Sequence, residues 1–353
     1  MQTLFKNANI VDIKTGSICD KDILVENGKI SAFGRFENFK GDVVDLKGDY
    51  VIPNFVNVFC HATKAFEKTY DSVGDEKHRE DIKNLMLVKN LLAGASCNDI
   101  DGKSQAYLLE NIEELDEKEL SDISNFVAQS KTQLFIKAGQ SLEELGTIDK
   151  QYKKMLSDVL EDFGFLDRKP ILIGGNCFEK DELQTLAQYD CDVCLTVGED
   201  AKFGRRPTNL MTLNSLGFCV GLGSGYSFEI DFFAFMRQIL LTQRGLFEDE
   251  NCISEQEVLN MATFNGSKIL YGTERSLKVG ESADFIVVNK GLSLYDDIFK
   301  TLVWEKSKKD VVMTVFDGEI LQKNGKIFMK NLPQYDTIIK ELQQDIRRKQ
   351  NDN

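Results

Sequence analysis

Five short, nearly continuous apolar runs limit what this chain can fold into more than any other feature. They are Phe55-Val56-Asn57-Val58-Phe59, Leu134-Phe135-Ile136, Ile171-Leu172-Ile173, Val193-Cys194-Leu195 and Phe218-Cys219-Val220-Gly221-Leu222. A strand with one wet face alternates apolar and polar residues. A run without alternation suits a strand covered on both faces, as in a parallel sheet. The stretches between the runs carry helical spacing. Residues 81–93 place Ile82, Leu85, Met86 and Lys89 at that spacing, and residues 152–163 do the same with Tyr152, Met155, Leu156, Val159, Leu160 and Phe163. Residues 111–127, 179–188 and 232–242 also read as helices. Such alternation predicts βα units. Over 353 residues it predicts an α/β fold with a TIM-like (β/α)8 barrel, complete or shortened.

The two ends of the chain have a different texture. Residues 4–13, Ile23-Leu24-Val25 and Lys29-Ile30-Ser31-Ala32-Phe33 read as short strands, with Asn27-Gly28 as a two-residue hairpin turn. After Tyr271 the same style returns in Ala283-Asp284-Phe285-Ile286-Val287-Val288 and in a hairpin built on Asp317-Gly318. The simplest assembly joins both ends in one composite β-sandwich, residues 1–51 with 277–331. The barrel then takes residues 52–276, and a C-terminal helix takes residues 332–353.

Charge and composition narrow the function classes. Lys and Arg total 43 against 57 Asp and Glu, a net charge of −14. An acidic surface lacks the basic face that displaces counterions from nucleic acid, so a nucleic-acid partner is not expected. No stretch approaches 18 apolar residues, and no apolar segment follows Lys6, so neither a membrane span nor a secretory signal is expected. The eight cysteines are spread along a large chain, which fits reduced thiols and a cytoplasmic location. There are only two histidines, His61 and His78. No site of three imidazoles is available.

The run Leu46-Lys47-Gly48-Asp49-Tyr50-Val51-Ile52-Pro53-Asn54-Phe55-Val56-Asn57-Val58-Phe59-Cys60-His61 resembles the first barrel strand of the amidohydrolase superfamily. Two later segments resemble the closing motifs of the same family: Ala262-Thr263-Phe264-Asn265-Gly266-Ser267-Lys268-Ile269-Leu270, and Leu277-Lys278-Val279-Gly280 leading into Ala283-Asp284-Phe285-Ile286-Val287-Val288. The likeness is strongest to the branch of guanine deaminase and chlorohydrolase-type enzymes. It implies a barrel carrying a composite β-sandwich. It also implies a divalent metal in the barrel mouth, held by imidazoles and a carboxylate, whose bound hydroxide attacks an electrophilic carbon.

Each implied position has a counterpart in this chain. The strand-one H-x-H reads Phe59-Cys60-His61, with Asn54 and Asn57 at the family's Gly and Asp. The strand-five His and the Glu three residues later fall on Lys137 and Gln140. The strand-six His falls on Gly174. The last strand ends Leu222-Gly223-Ser224-Gly225, so the general-base Asp falls on Gly225. The pocket at the former metal position is thus assigned to Phe59, His61, Lys137, Gln140, Gly174 and Gly225, with no metal and no cofactor. Lys137 and His61 are the candidate catalytic groups. A buried Lys137 would supply the missing cation or an amine of lowered pKa; the plainer reading is a lysine reaching solvent. A lone His61 at a strand end is more often just hydrogen-bonded in place.

Other features carry less. Cys191-Asp192-Val193-Cys194 enters a strand, so its two thiols face opposite sides. Gly223-Ser224-Gly225 is a weak candidate for an anion cradle, with Arg205-Arg206 as helpers or as a solvated turn. The leading expectation is a protein that has lost its metal ligands and base and acts as a non-catalytic binding or assembly partner. Its partners would be a second copy, an active relative, or a small molecule in the barrel mouth. The alternative is a metal-independent or divergent hydrolase or deaminase of C–N bonds in a small cyclic amide or amine, centred on Lys137, His61 and Ser224.

Overall fold

The computed structural model describes residues 2–65, 76–97, 106–130 and 132–329, with isolated helical positions at 337, 340, 341 and 344. The rest of the terminal helix expected over 332–353 lies outside the described residues. The chain opens with β1 (Gln2–Val11), β2 (Ile18–Glu26), β3 (Lys29–Gly34), β4 (Asp42–Asp45) and β5 (Tyr50–Pro53). The β2–β3 turn uses Asn27 at φ +49° and Gly28 at φ +81°, the left-handed pair that a two-residue hairpin requires.

The central segment alternates strand and helix. It runs β6 (Phe55–Asn57), α1 (Glu76–Leu92), β7 (Ala95–Cys97), β8 (Ala106–Leu109), α2 (Glu117–Gln129), β9 (Gln133–Ala138), α3 (Leu142–Tyr152) and α4 (Leu156–Asp162). It continues with β10 (Ile171–Gly174), α5 (Lys180–Gln188), β11 (Asp192–Leu195), α6 (Val197–Lys202), α7 (Leu210–Ser215), β12 (Val220–Leu222) and α8 (Phe232–Phe247). The strands β12-β11-β10-β9-β8 form one parallel sheet, and β6-β7 form a second. The two are tied where Val58 N–H donates to Leu222 O at 2.9 Å and Gly225 N–H donates to Phe59 O at 2.9 Å. The result is a continuous arc of parallel strands, β7-β6-β12-β11-β10-β9-β8, in a TIM-like barrel.

Alternation along these strands splits the core. Val56, Phe135, Ile171, Ile173 and Cys194 point inward and pack together. Phe55, Leu134, Ile136, Leu172, Val193 and Leu195 point outward beneath the helices, where Phe55 stacks on Phe232 of α8 at 5.2 Å. Cys191 and Cys194 accordingly belong to different sides of the sheet.

After α9 (Glu255–Asn260) and α10 (Gly266–Tyr271) come β13 (Phe285–Val288), β14 (Val311–Phe316), β15 (Glu319–Lys323) and β16 (Lys326–Ile327). These join the N-terminal strands in one sheet of order β16-β15-β14-β13-β5-β1-β2-β3, with β4 beside β1. Its core holds Phe5, Ile23, Val25, Ile30, Phe285, Met313 and Val315, drawn from both chain ends. No helix among the described residues is long and apolar enough to cross a membrane.

The periodicity over 152–163 misses a break. Lys153 adopts φ +55° and caps α3, and α4 begins only at Leu156. Helix α3 buries only Ile148 and so leaves almost no apolar stripe to read; it is set instead by the Ser141 side chain, which accepts from Glu144 N–H.

Candidate functional site

All barrel strands end on one side, so the residues that follow them converge there. Lys137 sits near the end of β9. Its neighbours Phe135 and Ala138 are buried, and the Lys137 side chain itself is only 4% exposed. An ammonium so placed needs a carboxylate, and Glu199, in the first turn of α6 after β11, supplies it. Lys137 Nζ donates to Glu199 Oε1 at 2.6 Å, and the Glu199 side chain is 0% exposed.

Glu199 is a hub. Arg205 Nη1 also donates to its Oε1 at 2.7 Å and to Asp200 Oδ1 at 3.2 Å. Tyr226 N–H, just beyond β12, donates to Glu199 Oε2 at 2.7 Å. Asn176, after β10, donates to Asp200 Oδ2 at 3.1 Å. Burial alone would raise the Glu199 pKa; Lys137, Tyr226 N–H and Arg205 hold it below the ordinary carboxylate range. Burial pulls Lys137 below the ordinary lysine value while Glu199 opposes the change. Asp200 is pushed up by burial despite Asn176 and Arg205.

The Lys137 ammonium also lies 3.3 Å from the centre of the Tyr226 ring, a cation–π contact in a desolvated setting. The Tyr226 hydroxyl donates to Glu110, at the end of β8, and Lys64 Nζ lies 3.6 Å from the same carboxylate. A cavity of about 180 Å³ opens here, lined by Lys64, Glu110, Asn111, Glu113, Lys137, Gln140, Glu144, Phe203, Arg205 and Tyr226. Glu144 accepts from Gly139 N–H at 2.9 Å and Gln140 N–H at 2.8 Å, and its pKa is raised by burial.

The six positions singled out in the sequence fall as follows. Lys137 and Gln140 line the cavity. Phe59 packs behind it, 5.8 Å from Phe135 and 5.9 Å from Tyr226. His61 meets the Tyr226 ring edge-on at 5.7 Å, and its Nδ1 is 3.3 Å from Thr63 Oγ1. A Cβ at Gly174 would stand 2.9 Å from Gln140 Cγ, so the Gln140 side chain covers that strand end. A Cβ at Gly225 would stand 2.1 Å from Glu199 Oε2.

Four weaker readings change. Lys137 does not reach out to solvent. The turn Gly223-Ser224-Gly225-Tyr226 is no anion cradle, because its N–H groups are engaged by Leu195 O, Asn57 Oδ1, Phe59 O and Glu199 Oε2. Ser224 is 1% exposed and its hydroxyl accepts from Asn57 Nδ2 at 3.0 Å, which separates it from the Lys137 cavity. Asn57 also bonds Asn90 of α1 at 2.8 Å and so ties β6, α1 and the β12 turn together. Arg205 is no solvated turn residue but part of the buried network.

Glu199 and Asp200 escaped the sequence reading because Thr196-Val197-Gly198-Glu199-Asp200 carries no motif. One signal was available. A lysine in an apolar strand requires a carboxylate, and these two follow the next-but-one apolar run directly.

The residues present do not fit the divalent ion that the family resemblance implies. A phenyl ring, an ammonium already bound to a carboxylate, and two glycines stand at the positions that the resemblance assigns to ligands. Among the described residues, no group of three or more His, Cys, Asp or Glu converges on one point.

A model of the Amidohydrolase family matches residues 113–321. A 5-methylthioadenosine/S-adenosylhomocysteine deaminase from Bacillus cytotoxicus is 24% identical over 214 residues, covering 58% of this chain and 49% of that one. The chain thus spans about half the length of that relative. A deaminase of the same name from Thermococcus kodakarensis is 22% identical over 398 aligned positions, covering 91% of this chain and 94% of that one. Among solved structures, an adenosine deaminase from Xanthomonas campestris with bound zinc superposes at a TM-score of 0.85 and 14% identity, covering 98% of each chain. A zinc complex of atrazine chlorohydrolase from Arthrobacter aurescens superposes at 0.78 and 15% identity, over 98% of this chain and 100% of that one.

These likenesses correct the leading expectation of a non-catalytic binding or assembly partner. The chains it resembles are named as deaminases and a chlorohydrolase, which are catalysts. The expectation equated missing ligands with missing chemistry. The same barrel end in fact presents a buried, perturbed lysine to a cavity walled by carboxylates.

Proposed function

The chain belongs to the amidohydrolase family, and on that premise we propose that it is a hydrolase or deaminase of C–N bonds in a small cyclic amide or amine. The observation that carries this reading is Lys137: an ammonium buried at the barrel mouth, held by Glu199 and opening on the cavity. A cation at this point polarises the bond under attack without a divalent ion. In the proposed reaction, water adds to the carbon of the C–N bond and gives a proton to Glu110. Lys137 passes its own proton to the departing nitrogen. Proton transfer through solvent from Glu110 to Lys137 closes the cycle. The lowered pKa of Lys137 suits the donor role, since its proton is easier to give up than that of an exposed lysine. The names of the relatives make ring-bound amines the first substrates to try.

The test is release of ammonia or amine from a panel of cyclic amides and amino-heterocycles, using the wild type and Lys137→Met. Methionine keeps the volume and removes the proton. A drop of about 10² or more in kcat for a variant with an intact unfolding transition supports the reading. Equal turnover in both proteins overturns it, as does a panel in which no member is turned over or raises the wild-type melting temperature.

A further inference from the structure

We infer that Glu199 and Gly225 form an exchange pair: the carboxylate of this site reaches in from the segment after β11 and excludes any side chain at position 225, in the turn after β12. The inference rests on the reading of Lys137 as the group presented to substrate, and it assigns Glu199 as the residue that positions it.

The geometry is specific. Strands β11 and β12 are neighbours, with Leu195 opposite Leu222, so the turns that follow them lie side by side. Gly225 has φ +60°, and a Cβ there would come within 2.1 Å of Glu199 Oε2 and 3.0 Å of Thr196 Cγ2. A contact of 2.1 Å is not relieved by a small shift, because three donors fix Glu199: Lys137 Nζ, Arg205 Nη1 and Tyr226 N–H. Helix α6 is itself seated closely. Gly198 leaves no room for a side chain, since a Cβ there would stand 2.8 Å from Phe235 Cε1 of α8. Hence the glycine at 225 is the condition for a carboxylate at 199. One position supplies the group, and its neighbour across the sheet supplies the space.

The pair also explains how Lys137 is aimed. With Glu199 behind it and the Tyr226 ring against it, the ammonium is confined to the wall of the cavity. Glu199 does not line the cavity, so it acts through Lys137.

The test uses the full chain with Glu199→Ala, Gly225→Asp, Gly225→Ala, and each Gly225 variant combined with Glu199→Ala. Melting temperatures are read without substrate. We expect Gly225→Asp and Gly225→Ala each to lower the melting temperature far more when Glu199 is intact than when they are combined with Glu199→Ala. Gly225→Ala keeps the comparison available if Gly225→Asp does not fold, and its loss in combination with Glu199→Ala reports the backbone strain together with the Thr196 contact. In turnover, Glu199→Ala is expected to lower kcat at least tenfold with little change in KM. Glu199→Ala/Gly225→Asp is expected to recover part of that loss, which a purely structural role for Glu199 does not predict. Equal losses from the Gly225 variants with and without Glu199→Ala overturn the exchange. If the thermal coupling appears but the wild type turns over nothing, the exchange stands and the catalytic reading of Lys137 falls.

Discussion

Tyr226 lies with its ring centre 3.3 Å from the Lys137 ammonium, while its backbone N–H binds the carboxylate that the same ammonium holds. Ring and hydroxyl therefore have separable jobs. Tyr226→Phe keeps the ring face and loses only the hydrogen bond to Glu110, at a cost of about 1 kcal/mol. Tyr226→Leu removes the ring from a buried cation and opens space beside Phe59, at a cost of about 3 kcal/mol. Urea denaturation of the two variants checks this. Equal costs would mean that the ring does not hold the ammonium.

Much of this arrangement was legible in the sequence, and the reason is periodicity. Five apolar runs without alternation can be satisfied only by strands buried on both faces, and each became a barrel strand or its direct extension. Strands β7 and β8 were not anticipated, because three or four residues carry too little pattern to separate them from loop. The site was half visible. Lys137 and Gly225 stood out because a motif said what ought to be there. Glu199 had no motif to depart from, and its role depends on the neighbouring turn, a relationship that linear spacing does not encode. The functional expectation went wrong at the same place: without Glu199, the plainer reading of Lys137 is a lysine reaching solvent, and with it Lys137 is half of a buried pair.

Thiol reactivity should follow burial. A thiol reacts as its thiolate. Burial pushes Cys191 up to about 12 and Cys219 up to about 11, each with Asp192 adding to the effect, and Cys194 lies well above the ordinary thiol value. Cys19 is exposed on β2. With iodoacetamide at about pH 8, Cys19 is expected to alkylate first, and Cys191 and Cys194 only after unfolding. Peptide mapping by mass spectrometry reads the order. Early labelling of Cys191 or Cys194 would show that the barrel wall opens on that timescale.

The acid limb of stability should carry the signature of Glu199. Its folded pKa lies below the ordinary 4.5. A carboxylate shifted down stabilises the fold above its unfolded pKa, and that contribution disappears as pH falls through the folded value. Glutamine cannot titrate, so the melting-temperature gap between wild type and Glu199→Gln isolates the effect. The gap is expected to be flat from about pH 8 to about pH 5.5 and to shrink below about pH 4.5. Glu144, raised by burial, titrates alike in both proteins; Asp200 is raised by burial and also by the Glu199 charge, so it lies lower in Glu199→Gln and opposes part of the shrinkage. A gap that widens on acidification would contradict the assignment of Glu199 as an ionised hub.

The two partners of the buried pair are not equivalent, and the asymmetry is the sharpest check on the network. Lys137→Met leaves the Glu199 carboxylate with Arg205 and the Tyr226 N–H, so its charge stays matched. Glu199→Gln strands Lys137 beneath Tyr226, with no other carboxylate among the described residues in contact, and weakens Arg205, which keeps only Asp200. Removing one partner of a buried pair costs about 3–5 kcal/mol when the other is left uncompensated. Glu199→Gln should fall in that range, and Lys137→Met should cost less, about 1–2 kcal/mol. The double variant removes the stranded ammonium and is expected to be more stable than Glu199→Gln alone, an interaction that a double-mutant cycle measures directly. If Lys137→Met proves the costlier change, the lysine rather than the carboxylate organises this end of the barrel.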